Sequence, residues 1–328
     1  MTKSARPNSR SGFGAIAEVP VLGVALTQGM ISGEGTARRN RLFQRALSAK
    51  IDMFDLTASA TPLLDLRLIG EANRKSNRSL TLILPVRPRS SQPPLQPASL
   101  PTTGPTELEQ TSAGDPPFVS AVGTALGPKG SLWVELPVDD AESSATSDAS
   151  TALPSVPEGT TATWVVRWDS PAQLDSALRQ ASRLGGAVVS GPASLLDPRG
   201  PAAVAAVSPA GTRRYLARDP FAGGRLDGSL LEVGNLDRNP NEGPWSLERL
   251  QVEYGPVLAF GFLSKRGVRN LRVAALQYLL TLPSVAGIVV PIATERQIEE
   301  LERLPSAPPL ETEELDRITQ LQTGRRAS

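Results

Sequence analysis

In the stretch Phe54-Asp55-Leu56-Thr57-Ala58-Ser59-Ala60-Thr61, Asp55 closes a short apolar run. An acid at the end of a strand is a candidate for proton transfer or for orienting a neighbouring base. The chain contains neither His nor Cys. Imidazole acid–base chemistry, Ser-His-Asp triads, zinc–thiolate sites and disulfides are therefore all excluded. What remains for chemistry is carboxylates, tyrosines, lysines and arginines. Asp55 and Glu135 would suit glycoside cleavage only at a particular separation, and nothing else in the sequence points to sugar. Of the three tyrosines, Tyr215 begins a strand and Tyr278 lies in an apolar helical pattern, so packing accounts for both. Tyr254, in the Gly-flanked, loop-like VEYGP, is left as a substitute proton donor. The Gly-rich GMISGEG at 29–35 lacks the Lys-Ser/Thr ending of a phosphate-binding loop and reads as a connection.

The elements that must position these residues follow from periodicity. Strands are expected at 19–26, 51–54, 80–86, 132–136, 162–166, 187–190, 215–217 and 285–291. Helices are expected at 36–49, 61–75, 118–126, 170–186, 268–282 and 294–304. Ser170 followed by Pro171, and Thr294, mark helix starts, while Gly185 and Gly186 mark an end. Eight strands alternating with helices imply a parallel sheet closed into a (β/α)8 barrel, with an open doubly wound sheet as the alternative. No GxGxxG follows the first strand, which weighs against a Rossmann dinucleotide site. Residues 1–18 read as a disordered tail and 19–304 as one barrel domain. Pro-rich 87–117 and low-complexity 139–161 are insertions too poor in large apolar residues to order themselves. Residues 305–328 form a C-terminal tail with a short helix from ETEELDRITQLQTG, acidic at its start as the helix dipole favours.

Thirty-four basic against 33 acidic residues give a net charge of +1, without the basic stripe of a nucleic-acid binder. No apolar run approaches the ~18 residues needed to span a bilayer, and MTKSARPNSRSGFGAIAE lacks a signal-peptide core. The expectation is a soluble cytoplasmic protein with no metal, no membrane and no nucleic acid.

Several collinear stretches resemble the aldo-keto reductase superfamily. VPVLGVAL is similar to its first barrel strand, ALSAKIDMFDLTA to its "AL..GINFFDTA", and Ile69-Gly70-Glu71-Ala72 to its "lGeal". SLLDP is similar to "NLLDR", DPFAGGRLDGSL to "SPLAGGLLTGKY", and LQYLLTLPSVAGIVVP to "LRWLLAQPGVTSVIPG". The resemblance implies a TIM barrel, a nicotinamide cofactor at the C-terminal ends of the strands, and carbonyl reduction by an Asp, Tyr, Lys, His tetrad. In the tetrad the Tyr gives the proton, the Lys lowers its pKa, the Asp orients the Lys and the His places the substrate.

Asp55 matches the tetrad Asp. The Tyr position holds Ala60, the Lys position Pro85 or Val86 with Arg87 just beyond, and the His position Glu135. Arginine does not replace the lysine, because a delocalised cation offers the phenol no comparable point charge. The Ser-Asn pair that holds the carboxamide falls on Arg167 and Trp168, the Gln on Ser190, and the Tyr that stacks on the nicotinamide on Arg218. The glycine of "IPG" falls on Ile292, and Arg296 is the only basic residue near the place of a 2′-phosphate contact.

The resemblance thus puts Asp55, Arg87, Glu135, Arg167, Trp168, Arg218 and Asp219 around one rim. Two arrangements are open: an ion-paired plug, with Arg87 as the first partner expected for Asp55, or an anion pocket clamped by Arg87, Arg167 and Arg218 under Trp168. The function expected is that of a catalytically degenerate, non-enzymatic relative with a ligand-binding, regulatory or scaffolding role, without cofactor and with a protein partner of unknown identity. The alternative is a divergent NADP-dependent oxidoreductase that uses NADPH on a carbonyl. The tail helix is expected to cover the barrel or its substrate side.

Overall fold

A computed structural model describes residues 21–26, 35–59, 61–85, 116–127, 130–138, 160–209, 212, 214–227 and 247–326. Ala60, Arg87 and most of the two insertions lie outside the described residues.

The eight expected strands are all present: β1 (Val21–Leu26), β2 (Met53–Asp55), β3 (Thr81–Pro85), β4 (Ser131–Pro137), β5 (Thr161–Arg167), β6 (Val188–Pro192), β7 (Tyr215–Arg218) and β8 (Val285–Ile292). Every neighbouring pair is parallel, and β8 pairs back onto β1, with Gly23 opposite Val289, so the sheet closes. This is a (β/α)8 TIM barrel, and the open-sheet alternative is overturned.

The strands are buried on both faces, as closure requires, and successive side chains alternate between the barrel interior and the helical layer. Inside, Met53, Ile83, Trp133, Val165, Val188, Leu216, Ala286 and Val289 form one apolar cluster. Outside, the larger core packs the strands against the helices, for example through the edge-to-face pair Phe43 and Phe54, whose ring centroids are 5.7 Å apart.

The helices are α1 (Gly35–Ser48), α2 (Pro62–Ser76), α3 (Pro116–Leu126), α4 (Leu174–Arg183), α5 (Arg199–Val207), α6 (Leu247–Leu258), α7 (Leu271–Thr281), α8 (Glu295–Arg303) and α9 (Thr312–Arg326). Their ends carry recognisable signals. Pro62 opens α2 and Asn77, left-handed at φ 47°, closes it. The Asn270 side chain accepts from the Val273 amide at α7, and Thr294 and Gln297 form a capping box at α8. Several details differ from what the sequence led one to expect: α5 and α6 are not among the expected helices. Pro171–Gln173 is a 3-10 turn ahead of α4, and VEYGP lies within α6, with Pro256 inside the helix, rather than in a loop. Among the described residues, no helix is long and apolar enough to cross a membrane.

Candidate functional site

Strand alternation fixes what lies at the C-terminal end of the interior. Two residues beyond Met53, Ile83, Trp133, Val165, Val188 and Leu216, the same faces of the strands carry Asp55, Pro85, Glu135, Arg167, Ser190 and Arg218. Four strands therefore aim charges at one level.

Arg218 is the centre of this layer. Its Nη1 donates to Asp55 Oδ2, its Nη2 to Glu135 Oε2, and its Nε to Ser190 Oγ at 2.7 Å. Thr57 donates to the other Asp55 oxygen from both its amide, at 2.9 Å, and its hydroxyl, at 2.7 Å. Arg167 Nη1 donates to Glu135 Oε1 at 3.3 Å, and its Nε to Asp169 at 2.8 Å. Asp55 and Glu135 are buried and Ser190 is fully enclosed, whereas the Arg167 side chain is about a third exposed.

The two arginines balance the two buried carboxylates, and each nitrogen of the Arg218 fork has an acceptor, as a buried charge requires. Burial still dominates Glu135 and pushes its pKa up; Arg218 and Arg167 oppose the shift, while the like charge of Asp55 adds to it. Burial works against the Arg167 cation, but Glu135 and Asp169 outweigh it and its pKa is raised.

The other candidates lie elsewhere. Trp168 follows β5 and is buried among the residues between barrel and helices, against Gly191, so it does not roof the charged layer. A Cβ at residue 191 would come within 2.3 Å of the indole nitrogen, and glycine there makes the room. Asp219 is exposed in a left-handed conformation (φ 49°), and its carboxylate accepts from the Gly223 amide. Asp55 pairs with Arg218 and Thr57; Arg87, the partner expected first, lies outside the described residues.

Tyr215 is buried on the outer face of β7, where burial holds its phenol well above its usual pKa, and donates to the Pro192 carbonyl at 2.9 Å. Tyr278 donates to Gln322 at 3.1 Å, and Tyr254 is half-buried on α6. Arg296 stands largely exposed on α8, 3.9 Å from Glu300.

Ser190, matched in the sequence only to the cofactor's Gln position, and Thr57, which the sequence did not single out, enter the site as hydrogen-bonding partners. The second half of the same loop serves a helix instead. Ser59 donates to Asp65 Oδ2 at 2.6 Å, and Arg39 contacts both Asp65 and Thr61, anchoring the start of α2. Burial raises the pKa of Asp65 as well, against the Ser59 hydrogen bond and Arg39. Helix α9, expected as a cover, has Lys265, Arg269, Tyr278 and Leu195 among its partners, none of them in the charged layer. Among the described residues, no group of three or more carboxylates could hold a metal ion.

No family model and no curated protein matches the sequence. Among solved structures, an aldo-keto reductase from Bacillus halodurans in its holo form matches with a TM-score of 0.54 at 17% identity, over 92% of each chain. At that identity the likeness concerns the fold alone. The closed eight-strand parallel barrel and this likeness together establish that the chain has the (β/α)8 TIM-barrel fold of the aldo-keto reductase type.

Proposed function

We propose that this barrel does not reduce carbonyls and acts instead as a non-enzymatic binding, regulatory or scaffolding protein, with the place of the catalytic tetrad taken over by an ion-paired layer. The observation that carries the reading is Arg218, whose guanidinium spends its three nitrogens on Asp55, Glu135 and Ser190. An aspartate held in this way has no free edge with which to orient a lysine.

The fold type implies a nicotinamide cofactor, and the residues at the matching positions do not fit one. The position for ring stacking holds Arg218, tied to two carboxylates. The carboxamide positions hold Arg167, tied to Glu135 and Asp169, and Trp168, buried behind the strand. Ser190, at the Gln position, is occupied by Arg218. Tyr215 is committed to Pro192 and Tyr278 to Gln322, which leaves neither free as a replacement proton donor. A protein partner, a cytoplasmic location and the absence of nucleic acid, membrane and metal from its function belong to the same proposal; they rest on the near-neutral charge and the composition.

The test is NADPH. A ligand of the folded state must stabilise it, so the expected result is no rise in Tm and no change in tryptophan fluorescence on titration. NADPH-dependent reduction of a model aldehyde that is lost in Asp55→Asn would overturn the proposal in favour of a divergent oxidoreductase.

A further inference from the structure

At the opposite end of the barrel from the charged layer, α4 and α5 enclose a groove of about 400 Å³ beneath the starts of β6 and β7. Its walls are largely apolar, with Leu178, Val204 and Val207 among them; Arg179, Arg214, Ser182 and Ser208 line it too, and among the described residues no carboxylate does. Arg214 is the unusual member. Its Nε is buried without a hydrogen-bond acceptor, and among the described residues its side chain makes no hydrogen bond or ion pair. The guanidinium lies directly over Gly186, where a Cβ would come within 1.6 Å of Nη1. Its closest chain neighbours outside the described residues, Ala210, Gly211 and Arg213, bring no acid.

A half-enclosed guanidinium without a counter-ion among the described residues, sharing its groove with Arg179, which is exposed and donates to Ser176 at 2.9 Å, is costly unless an anion completes it. The hydroxyls of Ser182 and Ser208 are further donors at the groove, and the planar fork matches a carboxylate. The apolar walls require the anion to carry an aliphatic chain. We infer that this groove binds an aliphatic carboxylate, its head between Arg214 and Arg179 and its chain along Val204 and Val207.

The site is independent of the charged layer, so its failure would leave the NADPH experiment untouched. The test is calorimetric titration of the whole protein with sodium octanoate, and with octanol, acetate and inorganic phosphate for comparison. Octanoate is expected to bind more tightly than all three. Arg214→Gln should weaken octanoate binding about tenfold or more, the scale of a lost charge-assisted hydrogen bond. Val207→Glu, at a position 67% exposed and therefore harmless to folding, should weaken it by offering Arg214 an internal carboxylate. Any of three results would overturn the inference: octanol binding as tightly as octanoate, octanoate binding unchanged in both variants, or phosphate binding where octanoate does not.

Discussion

On five strands the barrel interior changes character within two residues: Met53 to Asp55, Trp133 to Glu135, Val165 to Arg167, Val188 to Ser190, and Leu216 to Arg218. The lower level is held by apolar burial, in which each side chain contributes roughly in proportion to its area and loses little when a distant member changes. The upper level is held by pairing. Asp55 and Glu135 are as buried as the apolar residues beneath them, yet each is tolerable only while Arg218 and its neighbours stay in place. Stability at one level is additive, and at the other conditional.

The largest break in that comparison is Arg218→Met. It leaves two buried carboxylates without their shared cation, and a loss of about 3–5 kcal/mol is expected by urea denaturation. Neutralising the partners in the triple variant Arg218→Met, Asp55→Asn, Glu135→Gln should recover most of that loss, because what destabilises is the unpaired charge and not the missing pair. A single variant within about 0.5 kcal/mol of the parent would show that the layer is not held as described.

Ile83→Val probes the apolar level directly below. Removing one buried methylene should cost about 1 kcal/mol. The cost should be the same at every pH where the protein is folded, since no ionisable group is touched. A pH-dependent cost would mean that the two levels are mechanically coupled.

Alternation and composition made the strands legible, and with them the closed barrel, because a strand buried on both faces has few alternatives. Helix α6 carries Pro256 inside, a residue that ordinarily argues against a helix, and tertiary packing overrode it; in α5, Pro201 stands in the first turn, where proline is tolerated. The site was legible as a set of residue types but not as a set of bonds. Asp55 finds Arg218 across 163 positions of sequence, and that contact exists only because closure of the ring leaves just β1 and β8 between β2 and β7. The same limit misplaced Trp168: one residue beyond Arg167, it falls on the other side of the strand, where alternation puts it outside the barrel.

The smallest effect expected is also the most specific to the charged layer. Burial makes Glu135 hold its proton more readily in the folded chain than in the unfolded one, with Arg218 and Arg167 opposing and Asp55 reinforcing the shift. Between the ordinary glutamate value of 4.5 and the raised one, the folded state therefore binds more protons, and stability falls as pH rises through that window. Above the window the contribution is flat. Asp52 and Asp65, whose burial raises them too, contribute in the same direction, but they are retained in Glu135→Gln and cancel in a difference. Urea midpoints of the parent and of Glu135→Gln should therefore diverge only across that window, the parent losing relative stability as pH rises. A difference constant from about pH 4 to about pH 8 would mean that the pairing with Arg218 outweighs burial, and that the upper level is held by charge as securely as the lower is by packing.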